Sequence, residues 1–409
     1  MNSPTFAGKM NQTMYQPKRI AVKLNLKAET ILKKGHPWIF SDSIVKAPED
    51  AQTGDVAVVF AQKDNKLIGI GLYDAESPIR IKILQANRPV QVDAAFFLHT
   101  ITEAFNKRTD KISEATNAYR LIYGEGDGLP GVIVDVYDRV VVLKLYSGIW
   151  IPYLDLLKEA LVSVMAPEAL VLRLGRNVAK VNADLADGDV LYGTLNDPTV
   201  RFMEYGIAFQ AHVIKGHKTG YFLDHRLNRH QVGKLSKGKT VLDVFSYAGG
   251  FSVHALVGGA TEVTSIDISA QALEVAQENA QLNTYTGEHK TMKGDAFELL
   301  ADLVKDGQQY DVVVIDPPSF AKQQSEVQRA LKQYEKLASL GAALCRKGGV
   351  LVLASCSSRV DMESFKEAHQ RAFRRLGLKP GVLMSTRHDW DHPISIPESS
   401  YLKTIYYNL

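Results

Sequence analysis

The sequence is poor in the features that mark several common kinds of protein. Its two cysteines, Cys345 and Cys356, are too few for a disulfide framework or a zinc site, which fits a reducing cytoplasm. No apolar run approaches a membrane span, and Met1 to Gln16 is polar, without a signal-peptide core; it reads as a disordered or tag-like tail. There is little net charge, only +3, but it is unevenly spread. Residues 1–89 hold thirteen of the 48 Lys/Arg against eight of the 45 Asp/Glu, leaving 35 against 37 for the rest. A basic front end fits either a solvated surface or contact with nucleic acid. A G-x-G-x-x-G fingerprint is also missing, which argues against a phosphate-heavy dinucleotide.

What is present is a chain of 409 residues, long enough for two or three domains. The segment Lys239-Thr-Val-Leu-Asp-Val-Phe-Ser-Tyr-Ala-Gly-Gly-Phe251 reads as a strand, a small-residue turn and a helix start. Glycines at such a turn allow close backbone approach to a ligand. Asp267, 24 residues after Asp243, ends a second strand where a ribose diol finds its acceptor in doubly wound sheets. A carboxylate at Asp243 repels phosphate but accepts from an ammonium or hydroxyl. S-adenosyl-L-methionine, with its amino group, sulfonium and ribose diol, suits these acceptors.

Around this anchor the chain divides into expected units. Residues 17–89 carry short β-type runs (Ile20–Leu24, Val56–Phe60, Leu67–Tyr73, Ile79–Leu84), as in a small barrel, with Lys33, Lys34, His36 and Trp38 as candidate RNA contacts. Residues 90–199 read as a central β-β-α-β-β unit. It opens with a helix over 94–108 and a turn-dense insert over 120–131, and has a hairpin about Asp138-Arg139. Residues 200–409 begin with a hairpin turning near Gly206 and continue as an alternating α/β array.

In that array Thr219-Gly-Tyr-Phe-Leu-Asp-His-Arg226 places Tyr221 or Phe222 against an adenine or methionine group, with Asp224 and Arg226 holding polar groups; a helix-start Asp with a structural Arg partner is the equal alternative. Asp295 can accept from an adenine amino group. Tyr310-Asp-Val-Val-Val-Ile-Asp-Pro-Pro-Ser-Phe delivers Asp316 to a strand's carboxyl end, and Pro317-Pro318 makes a rigid lip for a planar ring. A strand from Gly348 stops at Ser355-Cys356-Ser357. Cys356 there is either a nucleophile or an inert small residue, and Cys345 sits on an apolar helical face.

These motifs, in this order, resemble class I S-adenosylmethionine methyltransferases. Gly35-His-Pro-Trp-Ile-Phe40 looks like part of a PUA domain. Together with Arg120-Leu-Ile, Asp127-Gly-Leu-Pro-Gly131, Gly220-Tyr-Phe-Leu-Asp224, Ser355-Cys-Ser357, Asp391-His-Pro393 and Tyr401-Leu-Lys403, the chain from Lys18 onward is similar to the RlmI-type cytosine-C5 methyltransferases of 23S ribosomal RNA. The resemblance implies a Rossmann-like α/β methyltransferase domain behind a PUA-like barrel. It implies Cys356 as the thiolate that adds to cytosine C6 and Asp316 as the group on the ring's N3/N4 edge. It implies a cofactor site of Tyr221, Phe222, Asp224, Arg226, Asp243, Phe245, Ser246, Ala248, Gly249, Asp267, Ile268, Asp295, Ala296, Asp316 and Pro317. Lys33, Lys34, His36, Trp38, Pro318 and Phe320 would face RNA. The expected partner is large-subunit ribosomal RNA, with no membrane, no metal, and room for a homodimer. Two departures stand out: Ser319 where some RNA cytosine-C5 enzymes have a second cysteine, and His225 where related sequences usually carry Gln. The competing expectations are a guanine-modifying RNA methyltransferase, which needs no cysteine, and a non-catalytic RNA-binding assembly factor.

Overall fold

The structure is a computed structural model that describes residues 15–181 and 185–409. Most of the expected N-terminal tail therefore lies outside the described residues. Tyr15 and Gln16 are described, and the Tyr15 hydroxyl donates to the Asp55 carboxylate at 2.5 Å.

The first sheet has six strands: β1 (Arg19–Leu24), β2 (Trp38–Phe40), β3 (Ile44–Lys46), β4 (Val56–Phe60), β5 (Leu67–Tyr73) and β6 (Ile79–Ala86), in the order β2-β6-β5-β4-β1-β3. Helix α1 (Leu26–Lys33) starts at Asn25, whose side chain accepts from Ala28 N, and buries Leu32 against the sheet's core of Ile20, Val22, Ile39, Val59 and Ile81. Two strands, β2 and β3, were not evident from the sequence. At three residues each they are too short to show alternation, and pairing with β6 and β1 defines them.

After α2 (Ala94–Asn106) comes a five-stranded sheet of β7 (Ala118–Tyr123), β8 (Val132–Tyr137), β9 (Val140–Leu145), β10 (Ala169–Leu174) and β11 (Val190–Gly193), ordered β11-β10-β9-β8-β7. Helix α3 (Leu154–Met165) precedes β10, and α4 (Arg176–Val181) follows it. The 138–139 turn has its expected place, since Tyr137 pairs with Val140 and Asp138 has φ of 55°. The expected β-β-α-β-β order is corrected by one strand, and the start of the "insert" at Arg120 lies inside β7. A charged residue there masks the strand pattern. Arg120 is buried because it pairs with Asp135 on β8, at 2.7 Å.

The third layer begins with the hairpin β12 (Thr199–Glu204) and β13 (Ile207–His212), turning at Tyr205-Gly206, both with positive φ. Behind α5 (Arg226–Leu235) lies a seven-stranded sheet: β14 (Thr240–Val244), β15 (Glu262–Asp267), β16 (Glu288–Lys293), β17 (Tyr310–Ile315), β18 (Cys345–Ser355), β19 (Gly381–Thr386) and β20 (Lys403–Asn408). Its order is β16-β15-β14-β17-β18-β20-β19, with β14 to β18 parallel and β20 antiparallel to its neighbours. The crossovers include α6 (Gly250–Val257), α7 (Ala270–Gln281), α8 (Ala296–Lys305), α9 (Val327–Leu344) and α10 (Met362–Arg375). From β14 the chain first adds strands on one side and then crosses to β17 on the other. That reversal opens a crevice at the carboxyl ends of β14 and β17.

Cys345 is corrected too. It is the first residue of β18, not part of the helical face, although it is buried as expected.

Candidate active site

Three strand ends build the crevice. The β14 strand releases Asp243 and then a loop in which Phe245, Tyr247 and Gly249 all have positive φ, at 64°, 46° and 72°. Non-glycine residues in that region carry strain of about 1–3 kcal/mol each, so the packing must hold the loop. Asp267 helps to do so: its Oδ2 accepts from Tyr247 N and its Oδ1 from Ser269 N, both at 2.9 Å. Gly249 and Gly250 are required for a reason other than ligand approach. A side chain on Gly249 would meet Ala276 of α7 at 2.7 Å, and one on Gly250 would meet Arg229 Cδ at 2.6 Å.

Asp243 is wholly buried. Its Oδ2 accepts from Ser252 N and Oγ, which ties the strand to the first turn of α6, while its Oδ1 has no partner. Burial raises its carboxyl to about 7; Ser252's donors oppose the rise, and Asp316 and Asp267 add to it. Ser246 Oγ in the same loop is also buried without a partner. Unmet buried acceptors beside a strained loop are what a polar ligand with ammonium and hydroxyl donors would complete. Along the same edge Ile268 is 70% exposed next to Asp267, and Asp295 is an exposed cap of α8, using Oδ1 for Phe297 N and Glu298 N. Ala248 gives its carbonyl to Asn279, and the Ala296 methyl is buried among core residues.

The β17 and β18 ends bring a thiol, a carboxylate and an imidazole together. Cys356 Sγ lies 3.9 Å from Asp316 Oδ1 and 3.7 Å from His225 Nε2, and His225 Nε2 lies 3.3 Å from Asp316 Oδ2. Burial pushes the Cys356 thiol well above its ordinary range, and the Asp316 and Asp224 carboxylates push further in that direction. Burial would lower His225, but Asp316 overrides it and the imidazole is raised. Lys403, reaching in from β20, donates to the Ser357 and Tyr401 carbonyls and so holds the cysteine turn; its burial lowers it to about 8.

His225 is the main residue whose role the sequence left undefined; its neighbours come from strands about a hundred residues away, so no local pattern could show it. Lys218 and Tyr401 were also missed. Tyr401 donates to Asp224 Oδ2 at 2.6 Å, and Lys218 Nζ lies 3.8 Å from the same carboxylate and 4.4 Å over the Phe222 ring.

Two expected contacts are corrected. Tyr221 is buried among Phe202 and Phe209, with Arg229 over its ring, so Phe222 is the ring at the crevice. Arg226 is fully buried and paired with Asp389 at 3.0 Å and Asp391 at 2.7 Å; it holds the C-terminal segment, not a ligand. Phe320 is half-buried and packs on Tyr334 and Phe297 at the margin of the core; Pro317 is buried and Pro318 exposed. Trp38 is half-buried, with its indole N–H donating from the ring edge to Glu125 at 2.8 Å, while His36 reaches Glu398 at 3.4 Å. Lys33 and Lys34 are exposed, with Lys33 3.6 Å from Glu29.

Fold and crevice define an S-adenosylmethionine-dependent methyltransferase. Residues 120–368 match the S-adenosylmethionine-dependent methyltransferase family, and residues 22–86 match the PUA-like domain family. A protein of Deinococcus radiodurans named ribosomal RNA large subunit methyltransferase is 42% identical over 95% of this chain and 97% of its own. One of Aeromonas hydrophila named ribosomal RNA large subunit methyltransferase I is 33% identical over 92% and 96%. A solved structure from Streptococcus mutans, described as a methyltransferase of the same cofactor class, superposes with TM-score 0.81 at 23% identity, covering 95% of this chain and 100% of that one. The chain belongs to the family of these S-adenosylmethionine-dependent ribosomal RNA large subunit methyltransferases, with a PUA-like domain at its front.

When bound, S-adenosylmethionine supplies an electrophilic methyl group. The unmet acceptors of Asp243 and Ser246, with Asp267, Ile268, Asp295 and Phe222 along the same edge, fit its amino acid and nucleoside parts. Among the described residues no helix is long and apolar enough to cross a membrane.

Proposed function

We propose that this enzyme methylates C5 of a cytosine in large-subunit ribosomal RNA, in the cytoplasm, by way of a transient bond between Cys356 and C6. The observation that carries the reading is the placement of Cys356 Sγ 3.9 Å from Asp316 Oδ1. Cytosine C5 is a poor nucleophile until sulfur adds at C6. The addition balances if the thiol proton passes to Asp316 and on to ring N3: the S–C6 bond forms and the C5=C6 electrons become available at C5. Once C5 has formed its bond to the methyl group, N3 returns its proton to Asp316, water takes the C5 proton, C5=C6 is restored, and the S–C6 bond breaks with its electrons returning to sulfur.

The base has to leave any stack to reach the crevice. Exposed Pro318 offers it a rigid edge, and Lys33 and Lys34 on the first sheet's helix offer phosphate contacts. Residues 17–89 then act as the RNA-holding unit, 90–199 as a spacer and 200–409 as the catalytic unit. The relatives' names supply the choice of ribosomal RNA, and the thiol supplies the choice of cytosine over guanine.

The test uses 5-fluorocytidine-substituted ribosomal RNA and S-adenosylmethionine. The native chain should form a denaturation-resistant RNA adduct, and Cys356→Ser should form none. Undiminished methylation by Cys356→Ser would rule the reading out.

A further inference from the structure

The crevice places an imidazole against the sulfur, and what that imidazole does depends on which nitrogen carries hydrogen. His225 Nδ1 lies 3.2 Å from the side-chain amide nitrogen of Asn228. The amide's orientation is set by its other partners. Asn228 Oδ1 accepts from Thr386 Oγ1 at 2.5 Å and from Tyr406 Oη at 3.0 Å, and its Nδ2 also reaches Thr404 Oγ1 at 3.2 Å. With its oxygen committed to two hydroxyls, Asn228 turns its N–H toward His225 Nδ1, which must then accept. The hydrogen of the neutral ring is therefore on Nε2, the nitrogen facing Asp316 and Cys356.

We infer that His225 serves the reaction as a hydrogen-bond donor to the Cys356 thiolate, with Asn228 as the positioning residue that keeps the hydrogen on Nε2. This rests on Cys356 being the nucleophile. It reverses the role usually expected of an imidazole beside a thiol, that of a base taking the thiol proton. Nε2 has no free lone pair in the neutral Nε2–H ring, and an imidazolium also presents N–H there, so it donates in both states. The thiol proton goes to Asp316 Oδ1; the same carboxylate's Oδ2 lies 3.3 Å from His225 Nε2, so the ring N–H is shared between carboxylate and sulfur until Asp316 is protonated, and the thiolate is then the charged acceptor it faces.

The need for such a donor follows from the surroundings. The groups around the ring are Asp316 at the end of β17, Cys356 after β18, Asp224 beside it in the chain, Asn228 and Arg229 on α5, and Phe251 on α6 at 5.5 Å. Two carboxylates there disfavour negative charge on sulfur. Lys403 turns toward the Ser357 and Tyr401 carbonyls. An N–H from His225 offsets that repulsion when sulfur is charged before addition and again when it leaves C6.

The proposal is tested on the full-length protein without RNA. Alkylation of Cys356 by iodoacetamide, followed by mass spectrometry of its peptide across pH 6–9, reads the thiolate directly; buried Cys345 is the internal control. His225→Leu removes the donor and should slow alkylation about 10- to 100-fold. His225→Gln restores an N–H donor that cannot act as a base, and should recover the rate to within about threefold of native. Equal slowing by Gln and Leu would overturn the donor role, as would a native rate in the Leu variant. Imidazole 15N shifts of the unsubstituted protein should show neutral His225 bare at Nδ1, and Asn228→Asp should put hydrogen on Nδ1. The opposite tautomer in the native protein, or an unmoved one in Asn228→Asp, would also overturn it. Methylation that survives Cys356→Ser would instead remove the nucleophile while leaving the tautomer and alkylation results standing.

Discussion

Cys356 Sγ and Asp316 Oδ1, forty residues apart in the chain, lie 3.9 Å from each other because β17 and β18 are parallel neighbours whose carboxyl ends open on the same side. A raised thiol beside a carboxylate has a kinetic consequence. Burial and two carboxylates keep Cys356 protonated past its ordinary range, so the thiolate fraction grows with pH throughout the neutral region. Alkylation of Cys356 in the RNA-free protein, which reads the thiolate alone, should rise close to tenfold per pH unit between about pH 6 and 8. A flat profile would show that the thiol is already ionised in this range.

Asp243 makes the opposite kind of test. Its carboxyl is raised to about 7, and an ammonium donor needs it ionised. Affinity for S-adenosylmethionine, measured by calorimetry, should therefore fall as pH drops below about 7 and level off above it. Asp243→Asn should abolish that pH dependence and weaken binding by about 1.5–3 kcal/mol, the scale of a charged hydrogen bond. Unchanged affinity in the variant would place the amino group elsewhere.

Arg226 should report on stability and not on binding. Its charge is buried between Asp389 and Asp391, and Arg226→Met leaves two carboxylates without their partner. Urea unfolding should lose about 3–5 kcal/mol, while the folded fraction binds S-adenosylmethionine with native affinity. A selective loss of cofactor affinity would restore the role expected from the sequence.

Glu204 accounts for part of the acid sensitivity. Burial opposes its ionisation, but Arg229 at 2.6 Å and His254 at 2.9 Å outweigh burial and hold it at about 2. A depressed folded-state value contributes stability above the unfolded value near 4.5, and that contribution is lost as pH falls from there toward 2. Glu204→Gln should be less stable at pH 7 and lose less on acidification; parallel native and variant curves would exclude this residue as the source.

Lys33 and Lys34 carry the substrate side. Reversing both to Glu should weaken binding of ribosomal RNA fragments and flatten its dependence on salt, whereas S-adenosylmethionine affinity stays native. An unchanged salt slope would move the RNA contact off α1.

Read alone, the chain reveals the strands with clean apolar runs, the two hairpins at Asp138 and Tyr205-Gly206, and the acidic strand ends at Asp243, Asp267 and Asp316. These depend on periodicity and turn chemistry, which are local. Which polar residues face the crevice depends on long-range packing. Arg226 and Tyr221 lie within a few residues of Phe222, yet they are drawn into the interior by Asp389, Asp391 and a Phe202–Phe209 cluster far along the chain. His225 is the converse. It gains its meaning from three partners, Asn228 in the first turn of the helix that follows it and the ends of two strands much later in the chain, and a buried polar group takes its role from the partners that satisfy it.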